Sequence, residues 1–119
     1  MARILIVDDS PADLKLMESV LQATPHDVLV LNDPARVEEL VARERPDLLL
    51  LDVVMPGRNG YEVMRGLRRT PQGNLKVILV SSKGNDTDVK WGLRQGADDY
   101  LVKPYTPDQV LAAVTRHLG

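Results

Sequence analysis

Cysteine is absent from this chain of 119 residues. Without cysteine, neither a disulfide framework nor a thiolate metal site can form, and thiol redox chemistry is excluded. Long apolar runs are missing as well, since the first one, residues 4–7, stops at two aspartates. A run this short forms neither a signal-peptide core nor a membrane span, so we expect a cytoplasmic protein that makes no membrane contact.

A large excess of charge of one sign is also missing, because 15 Lys and Arg residues oppose 17 Asp and Glu residues. The basic residues are scattered without forming a block, so we expect no direct binding of nucleic acid. Apolar residues make up 44% of the chain and charged residues 27%, the balance of a soluble protein with a real core. The length suits one domain over residues 1–119, and no repeat or linker divides it.

Five short apolar segments have the pattern of buried strands, namely residues 4–7, 28–31, 48–51, 77–80 and 101–102. The stretches between them carry apolar residues at helical spacing, such as Leu14, Met17 and Leu21 in the first. Strands that alternate with helices in this way form a parallel sheet covered by helices on both faces. We therefore predict a doubly wound α/β fold of the flavodoxin-like kind, with five parallel strands in the order 2-1-3-4-5 and five helices.

Capping signals place the start of two helices. Ser10 precedes Pro11 and Asp13, which is the pattern of an N-cap, a first-turn proline and an acidic third position. Asp33 before Pro34 predicts a second helix start in the same way. The fourth helix is the weakest prediction, and we expect it to be mobile, because four residues of low helical propensity fall in its region. These are Gly84, Asn85, Gly92 and Gly96.

Polar side chains follow four of the predicted strands where each strand ends. Asp8 and Asp9 follow the first strand, Asp52 the third, Ser81 the fourth and Lys103 the fifth. In an open parallel sheet, ligands bind outside the carboxyl ends of the strands, where the strand order reverses. The sequence therefore predicts that three carboxylates, a hydroxyl group and an ammonium group meet in one crevice.

Three clustered carboxylates raise one another's pKa unless a cation joins them. Oxygen ligands with room for water favour Mg²⁺, which also coordinates incoming phosphoryl groups. A carboxylate can itself attack a phosphoryl group and form an acyl phosphate, while a lysine holds the phosphoryl oxygens. Asp52 is the best candidate for this nucleophile because it stands alone at the end of the central strand, with Ser81 and Lys103 on one side.

These strand ends resemble the signature set of CheY-like response regulator receiver domains. The resemblance rests on Ile-Leu-Ile-Val-Asp8-Asp9-Ser10, Leu-Leu-Asp52-Val-Val-Met55-Pro56-Gly57-x-x-Gly60, Val-Ser81-Ser82 and Tyr100-Leu-Val-Lys103-Pro104. It covers the whole chain in the right order. It implies that Asp52 accepts a phosphoryl group from a histidine kinase, or from a histidine phosphotransfer protein, in a Mg²⁺-dependent reaction.

The resemblance also implies a role for each residue of the crevice. The implied Mg²⁺ ligands are Asp8, Asp9, Asp52 and the main-chain carbonyl of Val54. Ser81 and Lys103 would bind the phosphoryl group, and Tyr100 would turn inward as Ser81 moves. The peptide bond between Lys103 and Pro104 would be cis. Residues 83–97 further resemble the fourth-helix region of single-domain regulators in twitching-motility chemotaxis systems.

Two positions depart from the commonest pattern of these domains. Position 54 carries Val where a polar residue is usual, and position 83, two residues after Ser81, carries Lys. Both flank the expected path of an attacking water. Because Val54 offers that water no hydrogen bond, we predict slow loss of phosphate.

Aromatic residues predict a surface for a downstream protein. Val89 and Leu93 are the natural inward positions of the fourth helix, so Trp91 points outward. Trp91 with Tyr100 and Tyr105 would form a plausible contact surface on helix four, strand five and helix five. Packing within the domain is the favoured role of Trp91, and the contact surface is the alternative. The two histidines, His26 and His117, are interpreted as ordinary surface residues.

The favoured function is a stand-alone signalling module whose phosphorylation controls binding of an unidentified downstream protein. A phosphate sink or shuttle without an effector is an open alternative. An aspartyl-phosphate phosphatase-like enzyme usually needs an acid two residues after its nucleophile, where this chain has Val54. A flavin or nucleotide site would need a glycine-rich loop after the first strand, which is missing. We therefore predict no enzyme beyond the domain's own phosphorylation and dephosphorylation.

Overall fold

A computed structural model describes residues 1–119 and contains one five-stranded parallel sheet. The strands are β1 (Arg3–Val7), β2 (Asp27–Leu31), β3 (Leu48–Asp52), β4 (Lys76–Ser81) and β5 (Asp99–Val102). They lie side by side in the order β2-β1-β3-β4-β5, which confirms the predicted order. Each strand contains its predicted apolar run and extends slightly beyond it.

Five α-helices connect and follow the strands, as predicted. They are α1 (Pro11–Leu21), α2 (Val37–Glu44), α3 (Gly60–Arg68), α4 (Asp86–Arg94) and α5 (Pro107–Leu118). Asp33 does not open α2 directly, because its side chain caps a short 3₁₀ turn at Pro34–Arg36 instead. No helix of the structure is both long and apolar enough to cross a membrane.

Side-chain caps fix where the helices begin. The Ser10 side chain accepts a hydrogen bond from the Asp13 backbone N–H, and Pro11 occupies the first helical position, as predicted. Asn85 caps α4 by accepting from the Asp88 N–H at 2.8 Å. Such a cap stabilises a helix by about 1 kcal/mol, which offsets much of the low propensity of the glycines around α4.

The sheet is buried on both faces, and side chains alternate between two apolar clusters. On one face, strand residues such as Leu5, Leu49 and Leu79 pack against α2 and α3, and against Val89 of α4. On the other face, Ile4, Leu50 and Val80 are among those that pack against α1 and α5. The sheet is thus held from both sides, which gives its carboxyl edge a fixed geometry.

Gly60 allows α3 to start against the end of the central strand. A Cβ atom at this position would lie 2.4 Å from the Asp52 carbonyl oxygen and 2.9 Å from the Val53 Cα. The Gly60 N–H donates to the Val53 carbonyl at 2.9 Å. No larger residue fits such a close backbone approach, so Gly60 fixes the loop that borders Asp52.

Candidate functional site

Three carboxylates meet at the carboxyl edge of the sheet. One carboxylate oxygen each from Asp8, Asp9 and Asp52 lies within 4.8 Å of the others. Asp8 and Asp52 are buried, whereas Asp9 is exposed. An open cleft of about 300 Å³ runs over them and is lined also by Ser81 and Lys103. The structure therefore brings together the five side chains that the strand ends predicted.

Lys103 is the cation of this cleft and contacts three carboxylates. Its Nζ donates to Asp8 Oδ2 at 2.9 Å, to Asp13 Oδ2 at 3.0 Å and to Asp52 Oδ1 at 3.3 Å. Burial by itself would lower the pKa of Lys103. The hydrogen bonds to Asp8 and Asp13, together with the negative charges of Asp52 and Asp8, outweigh burial and raise that pKa above its usual value. Lys103 is therefore charged throughout the neutral range.

Asp52 has the most strongly perturbed carboxyl group of the cleft. Its burial, followed by the negative charge of Asp8, raises the pKa of Asp52 to about 6, although Lys103 opposes the shift. The single ammonium group of Lys103 is therefore not enough to neutralise all the carboxylates of the cleft. A perturbed carboxyl group in a cleft, with named charge partners, marks a candidate functional site.

The donor set fits a hard divalent cation. Three carboxylates converge, one of them open to solvent, and the raised pKa of Asp52 reports negative charge that a cation would relieve. Oxygen ligands of this kind, with room left for water, suit Mg²⁺. Val54, whose main-chain carbonyl is the fourth predicted ligand, also lines this cleft.

Ser81 and Tyr100 are joined through the loop after β4. The buried Ser81 Oγ accepts from the Lys83 N–H at 3.1 Å, and the Tyr100 hydroxyl donates to the Lys83 carbonyl at 2.7 Å. The Tyr100 ring is turned inward and is 9% exposed. A Cβ atom on Gly92 would lie 2.9 Å from two carbons of that ring, so the glycine gives Tyr100 its space.

The predicted aromatic contact surface is not a single surface. Trp91 is 52% exposed, as expected, but Tyr100 is buried with the cluster that packs under α2 and α3. Tyr105 packs with the opposite cluster, under α1 and α5. The prediction that these three side chains lie side by side is wrong, because Tyr100 and Tyr105 contact opposite faces of the sheet.

The predicted inward face of α4 is wrong at one position. Val89 packs against the core, but Leu93 is 43% exposed and Gly92 is the buried residue of the helix. The inward face therefore passes through Val89 and Gly92, because the Tyr100 ring lies against the glycine.

Of the two histidines, His117 departs from the surface role predicted for it. Its side chain is only 13% exposed, and its Nε2 lies 3.0 Å from Asp99 Oδ2. His26 Nδ1 accepts a hydrogen bond from the Ala2 N–H at 3.1 Å. Neither histidine lines the acidic cleft. The peptide bond between Lys103 and Pro104 is cis, in agreement with the prediction.

Asp13 is the site residue that the sequence reasoning missed. It was interpreted only as the acidic third residue of α1, yet its carboxylate contacts Lys103. The first turn of the helix after β1 stands over the carboxyl edge of the sheet, where the loop from β1 ends. An acidic residue in that turn was the available signal, because its side chain can reach across the crevice.

The sequence matches the family model for the response regulator receiver domain over residues 4–115. It is similar to Protein PilH of Pseudomonas aeruginosa, with 41% identity over 120 residues. That alignment covers 100% of this chain and 99% of PilH. The likeness therefore spans both proteins from end to end.

Solved structures show the same fold. Chemotaxis protein CheY4 of Vibrio cholerae superposes with a TM-score of 0.91 at 27% identity, covering 99% of both chains. The receiver domain of the sensor histidine kinase PA1611 of Pseudomonas aeruginosa, which has a magnesium ion coordinated in its active-site cleft, superposes with a TM-score of 0.88. That match has 26% identity and covers 98% of this chain and 96% of the other. The chain belongs to the response regulator receiver domain family.

Proposed function

We propose that this protein is a phosphorylation-controlled switch in which Asp52 is the phosphoacceptor. The observation that carries the proposal is the position of the Asp52 carboxylate at the end of the central strand. There it lies with the oxygens of Asp8 and Asp9 within 4.8 Å and the Lys103 ammonium at 3.3 Å. Phosphorylation would favour a second conformer that binds a downstream protein.

Asp8, Asp9, Asp52 and the Val54 carbonyl are the residues that would hold Mg²⁺. When bound there, Mg²⁺ supplies positive charge that neutralises the oxygens of the transferring phosphoryl group. The chain's own part is to present Asp52 as the nucleophile, with its carboxylate fixed by the buried sheet around it. Lys103 contributes a permanent ammonium group, which would bind a phosphoryl oxygen as a point charge.

The phosphoryl donor would be the phosphohistidine of a histidine kinase or of a histidine phosphotransfer protein. An Asp52 oxygen forms a bond to phosphorus as the bond between phosphorus and the histidine nitrogen breaks, and the imidazole leaves as a neutral group after taking a proton. Ser81 would then donate its hydroxyl hydrogen to the phosphoryl group. The inward Tyr100 is joined to Ser81 through Lys83, so movement of Ser81 would reach the surface around α4.

Output would be through contact with another protein, and the whole chain would act as one cytoplasmic domain, residues 1–119. The alignment with PilH, which covers 100% of this chain and 99% of PilH, supports a PilH-like receiver domain over residues 1–119. The likeness to CheY4, a chemotaxis protein, supports a place in chemotaxis-type signalling. Trp91 is the exposed aromatic residue best suited to a partner contact.

Val54 argues against a phosphatase acting on separate substrates. An enzyme of that kind needs an acid or base beside the acyl phosphate, and position 54, which lines the cleft, carries an aliphatic side chain. A phosphate sink uses the same site chemistry as a switch. Competition for phosphoryl groups against a second regulator, measured with a shared kinase, separates the two.

The first test is the intact mass of the pure protein after incubation with Mg²⁺ and acetyl phosphate. We expect one phosphoryl adduct that is lost in Asp52→Asn and when the metal is chelated. Asp9→Asn should lower the adduct by weakening the metal set without removing the nucleophile. An adduct that persists in Asp52→Asn would contradict the assignment. If no adduct forms, beryllofluoride binding decides, because it needs the same aspartate and metal without a phosphoryl donor.

A further inference from the structure

A closed ring of hydrogen bonds surrounds the start of α1. Ser10 donates its backbone N–H to Asp8 Oδ1 at 2.9 Å, and its side-chain oxygen accepts from the Asp13 N–H at 3.3 Å. Lys103 Nζ completes the ring by donating to Asp13 Oδ2 at 3.0 Å and to Asp8 Oδ2 at 2.9 Å. The ring fixes Asp13 relative to Asp8, and it places the Lys103 ammonium on the α1 side of the cleft.

Within this arrangement Lys103 lies closer to Asp13 than to the phosphoacceptor. An ammonium group has three hydrogens, and three carboxylates take them here. The contact with Asp52, at 3.3 Å, is the longest of the three. Asp13 thus withdraws part of the lysine's charge from Asp52, although Asp13 is outside the group of carboxylates that could share a metal.

We propose that Asp13 is a positioning residue that acts through Lys103, holding its ammonium group toward α1 so that Asp52 stays available to Mg²⁺. This inference rests on the proposed function, because it concerns the same metal-dependent site. Lys103 and a divalent cation compete for the same oxygens, since Lys103 donates to both Asp8 Oδ2 and Asp52 Oδ1. Without Asp13, the lysine would share its hydrogens between those two residues alone and pair with them more tightly.

The Mg²⁺ affinities of the variants would differ from this expectation if the charge of Asp13 acted directly on the cation through space. A carboxylate near the cleft attracts a cation whether or not Lys103 is present, whereas a positioning residue needs the lysine that it positions. The two explanations therefore separate in a double-mutant cycle over positions 13 and 103. The substitutions are Asp13→Asn, which keeps the shape and removes the charge, and Lys103→Met, which keeps most of the length of the side chain and removes the ammonium group.

The experiment is isothermal titration calorimetry with MgCl₂ on chelator-treated protein at pH 7, for the wild type, both single variants and the double variant. We expect Asp13→Asn to weaken Mg²⁺ binding roughly 3- to 10-fold when Lys103 is present. In the Lys103→Met background the same substitution should change binding less than about 2-fold, because no ammonium remains to compete.

Glu18→Gln supplies the matched control. It removes one negative charge from the same helix at a residue that makes no ion pair with Lys103, and it should leave Mg²⁺ affinity within about 2-fold of the wild type. Asp13→Ala, which removes the acceptor as well as the charge, should weaken Mg²⁺ binding at least as much as Asp13→Asn. Far-UV circular dichroism checks that each variant is folded.

Two results would overturn the proposal. One is Mg²⁺ affinity in Asp13→Asn equal to that of the wild type. The other is an equal loss in both backgrounds, which would assign the effect to charge through space. Failure of the proposed function has a separate signature, since the wild type itself would then bind neither Mg²⁺ nor beryllofluoride at Asp52.

Discussion

The two edges of the sheet differ in how their acidic side chains are neutralised. At the amino edge, where the strands begin, Asp47 and Asp98 each have their own donors. Asp47 accepts from the Arg3 N–H at 2.8 Å, and Asp98 accepts from the Val77 N–H at 2.8 Å and pairs with Arg68 at 3.3 Å. At the carboxyl edge several carboxylates share the single ammonium of Lys103. The paired carboxylates of the amino edge stabilise the fold, whereas the carboxyl edge keeps an excess of negative charge that can bind a ligand.

The largest expected effect comes from removing Lys103, the cation that pairs with the carboxylates of the cleft. Lys103→Met removes the positive charge that pairs with buried Asp8 and Asp52, so we expect the free energy of unfolding in chelator at pH 7 to fall by about 2–4 kcal/mol. Urea unfolding measures it. Added Mg²⁺ should restore part of the loss. An unchanged unfolding midpoint would show that the carboxyl edge is neutralised in some other way.

Asp52→Asn should change stability in the opposite direction. The pKa of Asp52 is raised to about 6, so between about pH 4 and pH 6 the folded state binds more protons than the unfolded state. Stability is therefore lost as pH rises through this window, and Asn abolishes the loss. We expect Asp52→Asn to be more stable than the wild type by about 2 kcal/mol at pH 7 without metal.

Urea unfolding of both proteins from pH 4 to pH 7 tests this expectation. The two curves should meet near pH 4 and separate above it. Asp47→Asn at the amino edge is the matched control, since it removes one carboxylate charge from a group with its own donor. A gap between wild type and Asp52→Asn that does not vary with pH would contradict the charge-based explanation.

A smaller loss of stability is expected from a substitution at the amino edge, and this loss should not depend on Mg²⁺. Asp98→Ala removes the acceptor of the Val77 N–H and the partner of Arg68, so we expect a loss of about 1–2 kcal/mol. Asp98→Asn keeps an acceptor oxygen and should lose less. Both losses should be equal with Mg²⁺ and with chelator, which calorimetric melting under the two conditions can show. If Mg²⁺ reversed the loss of stability in these variants, the two edges would not differ in their dependence on metal.

The sequence was sufficient for the strand order and for the main residues of the site. Buried runs alternating with helices leave few topologies, and Asp8, Asp52, Ser81 and Lys103 follow strand ends that a parallel sheet brings to one edge. Asp13 was missed because an acid in a first helical turn already has a local explanation in the helix dipole. Its contact with Lys103 depends on how α1 stands over the sheet.

The errors concern which way side chains face rather than which elements form. Tyr100 and Tyr105 are close in sequence, yet they pack on opposite faces of the sheet. Leu93 has the spacing of an inward residue, but Gly92 takes that place because the Tyr100 ring fills the space against it. The helical period of 3.6 residues predicts that α4 has an apolar face. Which residues lie at the centre of that face depends on the side chains packed against the helix.

Val54 carries the smallest expected effect, which is kinetic. Its side chain is 54% exposed beside the cleft and offers no hydrogen bond to a water that attacks the acyl phosphate. Val54→Asn would orient that water, so we expect phosphate loss to be faster by roughly 3- to 10-fold. This is less than a general base contributes, because Asn orients the water without taking its proton. Loss of the mass adduct with time, after removal of acetyl phosphate, gives the rate.

Val30→Asn is the matched control for this change, because Val30 is also an exposed valine, 43% accessible, but lies on β2 away from the cleft. Its phosphorylated form should decay at the wild-type rate. Equal rates for all three proteins would mean that water reaches the acyl phosphate without help from position 54. The lifetime would then be set by Lys103 and the metal, so that the charge of the carboxyl edge, and not the apolar side chain at its rim, protects the phosphorylated state.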